Sequence, residues 1–334
     1  MTSSPERPTR RRAITILAAT AAGALVGGPA RSSTDYKWSG VAMGADATIL
    51  FNGIERDAAR AAIDLVEAEI DRLEGALSLF RADSELCRLN RDRFLQSPSA
   101  DLRRALTLAI HTAAASGGLF DPTVQALWEA HVDWFATAPD AGPPPEELIM
   151  RARTAVDWRL VRLEVDAIYL GQGQRVTLNG LGQGYVTDRI AELLAGRGLK
   201  HVLVDLGEQR ALAPRLDGKA WQIARADRAP IALRRGALAT SEGAGCVLGA
   251  GGAAHHLFDP RSGRSAACWK TVTVHHRSAA VADALSTTFY IASADKIATL
   301  LPRFPGTIVW ARDHAGVERR WIAAPADDLT WQAV

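Results

Sequence analysis

Asp283 and Thr287 stand four residues apart in the run Val281-Ala282-Asp283-Ala284-Leu285-Ser286-Thr287-Thr288. On a helix that spacing puts a carboxylate and a hydroxyl on one face, here near the first turn, and two hard oxygen donors side by side suit a cation such as magnesium. The pair alone is also what an Asp capping a helix and a Thr bonding back to a carbonyl would look like. A second cluster, His256-Leu257-Phe258-Asp259-Pro260-Arg261-Ser262-Gly263, runs from a strand-like segment into a rigid bend. It places an imidazole and a carboxylate where they can act as acid or base, although Asp259 in such a bend can equally bond its own backbone. In Gly117-Gly118-Leu119-Phe120-Asp121-Pro122-Thr123 the glycines allow close approach to the backbone, and Phe120 can pack beside a flat ring; a plain helix connection would read the same way. Gly180-Leu181-Gly182-Gln183-Gly184-Tyr185 opens a helix whose free N–H groups can meet a phosphate, but it is neither a Walker loop nor G-x-G-x-x-G. The pairs His255-His256 and His275-His276 lack the spacing and the accompanying cysteines of zinc sites.

Elements must position these groups. Ala59, Ile63, Val66, Ile70, Leu73 and Leu77 recur at helical spacing between Arg56 and Arg81, which predicts an amphipathic helix. A second helix is expected from Ser99 to Ala115, stopped by Gly117-Gly118. Pro139, Pro143, Pro144 and Pro145 with Gly142 predict a surface loop. Strands are expected at Leu160–Leu170, Arg175–Leu178, His201–Leu206, Trp221–Arg225, Ala237–Thr240, Thr271–Val274 and Gly306–Ala311, and helices at Tyr185–Arg197 and Ala282–Ala292. Strands and helices mixed without regular alternation indicate an α+β fold in a single compact catalytic unit.

The 334 residues, 48% of them hydrophobic and 23% charged, exclude disorder and a disulfide-dense mini-protein. Arg10-Arg11-Arg12, the apolar run Ala13–Val26 and the small residues to Ala30 predict a twin-arginine-type export signal over residues 1–30. The run is short for a bilayer span, so the product expected after cleavage is residues 31–334, without a stable membrane span, in the periplasm or otherwise outside the cytoplasm. The net charge of +2 comes from that leader, and the rest offers no basic face for nucleic acid. Cys87, Cys246 and Cys268 have no C-x-x-C spacing.

Taken in order, Met43-Gly44, Leu77-Ser78-Leu79-Phe80 with Ser84-Glu85 through Asn90, Ser116 through Thr123, Gly184-Tyr185 through Asp188, Ala239-Thr240-Ser241, His256 through Gly263, and Ala282-Asp283 through Thr287 resemble the ApbE family, the FAD:protein FMN transferases of bacterial envelopes. The resemblance covers nearly all of residues 41–312. It implies a fold related to the tunnelling-fold class, with mixed sheets, packed helices and FAD in a cleft. It also implies magnesium-dependent transfer of the FMN half of FAD to a Thr or Ser hydroxyl of an acceptor protein, with release of AMP. Asp283, Thr287 and the Gly180 carbonyl would then hold the metal. His256 and Asp259 would activate the acceptor hydroxyl or orient the phosphate. Met43, Phe80, Leu119, Phe120, Asp121, Thr177, Gln183 and Leu257 would contact FAD, with Asn90 shaping the pocket.

The chain departs from the family pattern in places. Gln183 stands where many relatives carry Lys or Glu, Thr177 where Asp is common, Gly207-Glu208-Gln209 where Gly-Gly-Asp is usual, Glu242 after Thr240-Ser241, and Ser262 in the Asp-Pro-Arg turn. Two alternatives stand beside the transferase: an FAD pyrophosphatase that uses the same metal and pocket with water in place of the protein hydroxyl, releasing FMN and AMP, and a non-enzymatic FAD-binding protein, which Gln183 and Thr177 would favour. A dinucleotide-dependent dehydrogenase is disfavoured by the lack of a strand, G-x-G-x-x-G and helix unit.

Overall fold

A computed structural model describes residues 35–226, 228–249, 252 and 254–325; the export signal expected over residues 1–30 lies outside them. The chain opens with the hairpin β1 (Asp35–Ala42) and β2 (Ala45–Asn52), then α1 (Arg56–Leu77), α2 (Glu85–Asp92), β3 (Phe94–Gln96), α3 (Ala100–Ser116), α4 (Gln125–Thr137), α5 (Glu146–Arg153), β4 (Arg162–Leu163), β5 (Ala167–Tyr169) and α6 (Gly182–Gly196). It continues through β6 (Val202–Asp205), β7 (Gln209–Ala211), β8 (Trp221–Arg225), β9 (Arg228–Leu233), β10 (Gly236–Glu242), the short strands β11 (Val247–Leu248), β12 (Ala254–His255), β13 (Phe258–Asp259) and β14 (Arg264–Ser265), then β15 (Thr271–His276), α7 (Ala279–Ile291), α8 (Ala294–Leu300), β16 (Ile308–Arg312) and β17 (Glu318–Ile322). The α+β expectation holds.

Eight strands form one sheet in the order β1-β2-β6-β7-β10-β15-β16-β17. Alternation along each strand gives it two faces. Ile49, Phe51, Val202 and Val204 pack with Val66, Leu73, Val186 and Ile190 of the helices, while Ala239, Val274 and Val309 pack with Leu285 and Phe289. On the opposite face Leu203, Ala211 and Leu238 are covered by Trp221 and Leu233 of the β8–β9 hairpin, with Ile223, Ile231 and Trp310 alongside. A helical layer and a hairpin therefore share the two sides of the sheet.

The predicted apolar stripe of α1 is buried at all six positions. The helix stops at Leu77, four residues short of expectation, because the Ser78 N–H still donates to Glu74 O while its backbone turns extended. The Ser78 hydroxyl then accepts from Phe80 N (3.0 Å), which carries Phe80 out of the helix. In α3 the Ser99 hydroxyl caps the helix by accepting from Leu102 N, and Gly117 is left-handed, the glycine stop read from the sequence. The proline-rich segment is a loop before α5.

Two strand expectations need correction. Leu160–Leu170 is not continuous: Asp157 caps a 3-10 turn at Trp158–Leu160, and Glu164 N donates to Ala167 O to close a tight turn between β4 and β5. Arg175–Leu178 is no strand at all. The Asn90 amide takes the place of a neighbouring strand there, its Oδ1 accepting from Val176 N (2.7 Å) and its Nδ2 donating to Val176 O (2.8 Å). Helix α7 starts three residues earlier than predicted, on Ser278, whose hydroxyl caps Val281 N, so Asp283 lies beyond the first turn. No helix among the described residues is long and apolar enough to cross a membrane.

Candidate active site

The turns and strand ends at one end of the sheet surround a cavity of about 660 Å³. Met43, Phe80, Leu119, Phe120, Asp121, Thr177, Gly180, Gln183, His256, Leu257, Asp283 and Thr287 all line it. Twelve of the fourteen sequence-derived residues thus converge on one space; Asn90 and Asp259 stand behind its wall.

The corner holding Asp283 rests on two helices stitched together in both directions. From α6, Asp188 accepts from Ala279 N (2.8 Å), Ala280 N (3.1 Å) and the Ser278 hydroxyl (2.6 Å) and pairs with Arg210, so one carboxylate receives the free N–H groups at the start of α7. From α7, Asp283 accepts from Gly184 N of α6 (3.1 Å). The helices can approach because residue 184 is glycine: a Cβ there would sit 2.4 Å from Ala279 O. Tyr185 donates to Asp101 of α3 (2.7 Å), fixing α6 from behind. Ser241, at the end of β10, meets Ser286 (2.7 Å) and Thr287 (3.5 Å) through its hydroxyl. Gly180 faces the same corner, since a Cβ on it would lie 3.2 Å from Thr287 Oγ1 and 3.0 Å from the Phe120 ring.

Asp283 is 5% exposed. Burial, with Asp188 nearby, pushes its carboxyl up to about 7, and the Gly184 N–H opposes this only in part. A buried carboxylate with so little compensation, beside a hydroxyl and a backbone carbonyl, has the donor chemistry of a hard-cation site. The residues present fit magnesium. Glu208, on the β6–β7 turn, adds a second buried carboxyl to the wall. Burial, and then Asp283 and Asp205, push it well above the ordinary carboxylate range. Sequence reasoning gave Glu208 no role; the only signal was its place in the altered Gly-Gly-Asp segment.

His256 is held differently. Its Nδ1 lies 3.2 Å from Cys246 O, and a carbonyl can only accept, so that nitrogen carries the proton and Nε2 keeps its lone pair. Burial lowers the imidazole to about 4, which keeps it neutral at pH 7. Asp259 is engaged elsewhere. Its carboxylate accepts from Arg261 N (2.9 Å) and is clasped by the Arg261 guanidinium at 2.9 and 2.7 Å, while its carbonyl accepts from Gly263 N (2.7 Å). His255 donates from Nε2 to Ala266 O (2.8 Å) while its Nδ1 accepts from Leu257 N, and His276 Nδ1 accepts from Ser278 N (3.1 Å).

The remaining wall is apolar. Met43 and Gly44 both have positive φ, 52° and 80°, forming the tight β1–β2 turn. For methionine that conformation is strained, and it is pinned by Glu74, which accepts from Met43 N at 2.7 Å. Phe80 lies over Gly44 and is 47% exposed, a ring free to stack on a ligand. Asp121 faces the cavity but accepts from Thr123 N, the Thr123 hydroxyl and Trp158 N, which makes it the keystone of its loop. Thr177 donates its N–H to Pro122 O, and the Gln183 amide packs against Gly207.

The ApbE family profile matches residues 43–310. The chain belongs to the ApbE family. It is 27% identical over 250 residues to the FAD:protein FMN transferase of Haemophilus influenzae, covering 69% of this chain and 72% of that one. It is 28% identical over 281 residues to the FAD:protein FMN transferase of Treponema pallidum, covering 74% and 75%. Among solved structures, an ApbE protein from Thermotoga maritima superimposes with a TM-score of 0.75 at 22% identity, covering 86% of this chain and 97% of that one. The flavinyl transferase ApbE of Pseudomonas stutzeri does so with 0.73 at 23%, covering 88% and 97%. ApbE membership accounts for the order of the motifs along the chain, and the shared fold accounts for their convergence.

Proposed function

We propose that this chain transfers the FMN half of FAD to a Thr or Ser hydroxyl of a partner protein, releasing AMP. The observation that carries the reading is that the under-compensated Asp283 carboxylate, with Thr287 and Gly180, opens into the same cavity as a neutral His256 whose Nε2 is free to accept a proton. In the reaction the acceptor oxygen bonds to the flavin-side phosphorus, the bridging P–O bond breaks, its electrons leave with AMP, and the hydroxyl proton goes to a base.

Asp283, Thr287 and the Gly180 carbonyl would hold magnesium, which when bound supplies positive charge to the pyrophosphate oxygens. His256 takes the hydroxyl proton at Nε2 while its Nδ1–H bond to Cys246 O keeps the ring oriented. Phe80 and Phe120 with Met43 offer the flat apolar surfaces that seat aromatic rings, and Asn90 holds Val176 so that Thr177 stays on the wall. Glu208, held well above the ordinary carboxylate range by burial, puts a second carboxyl on the same wall as Asp283. Arg10-Arg11-Arg12 and the apolar run after them support export, so that the reaction takes place outside the cytoplasm.

The test is incubation of the full chain with FAD, magnesium chloride and a Thr-bearing flavin-acceptor domain, scored by intact mass and in-gel fluorescence, beside an acceptor-free control scored for AMP. Covalent FMN on the acceptor is expected. AMP at an equal rate in the control, with no modified acceptor, would replace transfer by FAD hydrolysis.

A further inference from the structure

The β1–β2 turn carries a residue that turn chemistry does not favour. Ala42 pairs with Ala45, so Met43 and Gly44 are the two central residues of a tight hairpin turn, both at positive φ. Such a turn prefers Asn, Asp or Gly at its first central position. Strain kept at one residue persists only where the surroundings over-determine it, and it points to a use for the side chain. Met43 lines the cavity, and its methyl reaches toward α6, 3.6 Å from where a Cβ on Gly182 would stand.

A single residue of α1 holds both this turn and the ring beside it. The Glu74 carboxylate accepts from Met43 N at 2.7 Å, across 31 residues of sequence. The Glu74 carbonyl accepts from Ser78 N (3.1 Å), the Ser78 hydroxyl accepts from Phe80 N (3.0 Å), and the Phe80 ring lies 3.3 Å from where a Cβ on Gly44 would stand. Met43 and Phe80 are thus two walls of one slot, each tied to Glu74, which is not itself on the cavity wall. Among the described residues the Met43 N–H is the one group that hydrogen-bonds the Glu74 side chain. A hydrogen bond to a carboxylate stabilises by about as much as a left-handed methionine costs, so this bond fixes a position with little net gain in stability. Resting on the transferase reading, we propose that Glu74 is a positioning residue for the flavin: by fixing Met43 against Phe80 it sets the slot that seats the isoalloxazine ring.

The experiment measures binding of FAD, and separately of ADP, which carries the nucleotide half without a flavin. Isothermal titration calorimetry is run on the full chain with magnesium and no acceptor. Glu74→Ala should weaken FAD about tenfold and leave ADP within about twofold, the loss expected when a binding wall loses its support. Its Tm should move little, because the turn relaxes when the bond is lost. The visible circular dichroism of the flavin at saturating FAD should fall as well, since the ring is held less firmly. Two further variants separate reach from charge. Glu74→Gln keeps an oxygen at the same reach and should recover most of the affinity, whereas Glu74→Asp keeps the charge one methylene short of Met43 N and should behave like Glu74→Ala. Unchanged FAD affinity in Glu74→Ala overturns the proposal, and so does an equal loss of FAD and ADP, or recovery by Asp and not by Gln. FAD bound equally by the unaltered chain and by Glu74→Ala removes the positioning role alone; an unaltered chain that does not bind FAD removes the transferase reading with it.

Discussion

The two chemical corners of the cavity are built to different tolerances. Around Asp283 the backbone itself is committed: α6 and α7 exchange hydrogen bonds in both directions through Asp188 and Gly184, and a single Cβ at position 184 would collide with Ala279. Around His256 the frame is made of two-residue strands, β11 paired with β12 and β13 with β14, and the ring has one hydrogen bond to the Cys246 carbonyl. The difference fits the tasks proposed for them. A metal site would need its donors fixed to within a few tenths of an ångström, whereas a base would have to reach a proton on a flexible incoming chain. The residues of the first corner should therefore fail abruptly when changed and those of the second by degrees.

The sharpest break is Asp283→Ala. It removes the carboxylate of the proposed metal corner, and magnesium-dependent transfer should fall about a thousandfold or more, the scale of losing a principal electrostatic element. Wild-type rates of covalent flavin formation in the variant would sink the assignment. His256→Ala comes next. Transfer should drop about a hundredfold, within the usual range for a general base, with FAD affinity changed little; a variant that loses FAD binding but keeps its saturated rate would contradict the role.

Asp188→Ala tests whether the first corner owes its precision to stitching. The substitution leaves Arg210 and the α7 N–H groups unpaired in a buried setting, which costs about 3 kcal/mol, so Tm should fall by several degrees. The magnesium concentration for half-maximal rate should rise about tenfold, because the ligand pair moves with the start of α7. A fall in Tm with an unchanged magnesium requirement would make Asp188 a stabilising residue only. Asp188→Glu, which keeps the charge, should recover part of both.

Acid bears on both corners alike. His256 and His276 are lowered by burial to about 4 from the usual 6.5. Between those values the unfolded chain binds protons that the folded chain refuses, so each histidine contributes stability that is full above pH 6.5 and is lost as pH falls toward 4, about 3 kcal/mol each. Tm should decline steeply from pH 6.5 to 4.5, and His276→Gln should flatten that decline. A profile level to pH 4.5 would show that these rings are not held neutral.

Much of this architecture is legible in the sequence because it is local. The stripe of α1, the extent of α3 and the Gly117 stop follow from spacing and from residue type. Asp283 and Thr287 share a face because helices repeat every 3.6 residues. What escapes is nonlocal. Nothing near Val176 announces that Asn90, 86 residues earlier, completes its hydrogen bonds, so an extended segment reads as a strand. Glu74 gives no sign that it accepts from Met43 N, because that depends on how α1 packs beside the β1–β2 turn. Asp188 and Gly184 lie inside a recognisable segment, yet their reciprocal bonds to α7 exist only once the helices pack.

The smallest effect is expected where sequence and structure pull furthest apart. Asp259 shares a motif with His256, but its carboxylate is spent on Arg261 and on its own turn, a pairing that also holds it below the ordinary carboxylate range. Asp259→Asn keeps one acceptor oxygen for Arg261 N and loses the ion pair at a half-buried site, a change of about 1 kcal/mol once solvent screening is allowed for. Transfer should then fall no more than about threefold, mostly through looser placement of His256, and His256→Ala combined with Asp259→Asn should be little worse than His256→Ala alone. If Asp259→Asn instead costs about a hundredfold, and the double variant is no slower than either single one, the two side chains act as one unit. The turn would then have to open in the complex to free the carboxylate from Arg261, and the second corner would be the more demanding of the two.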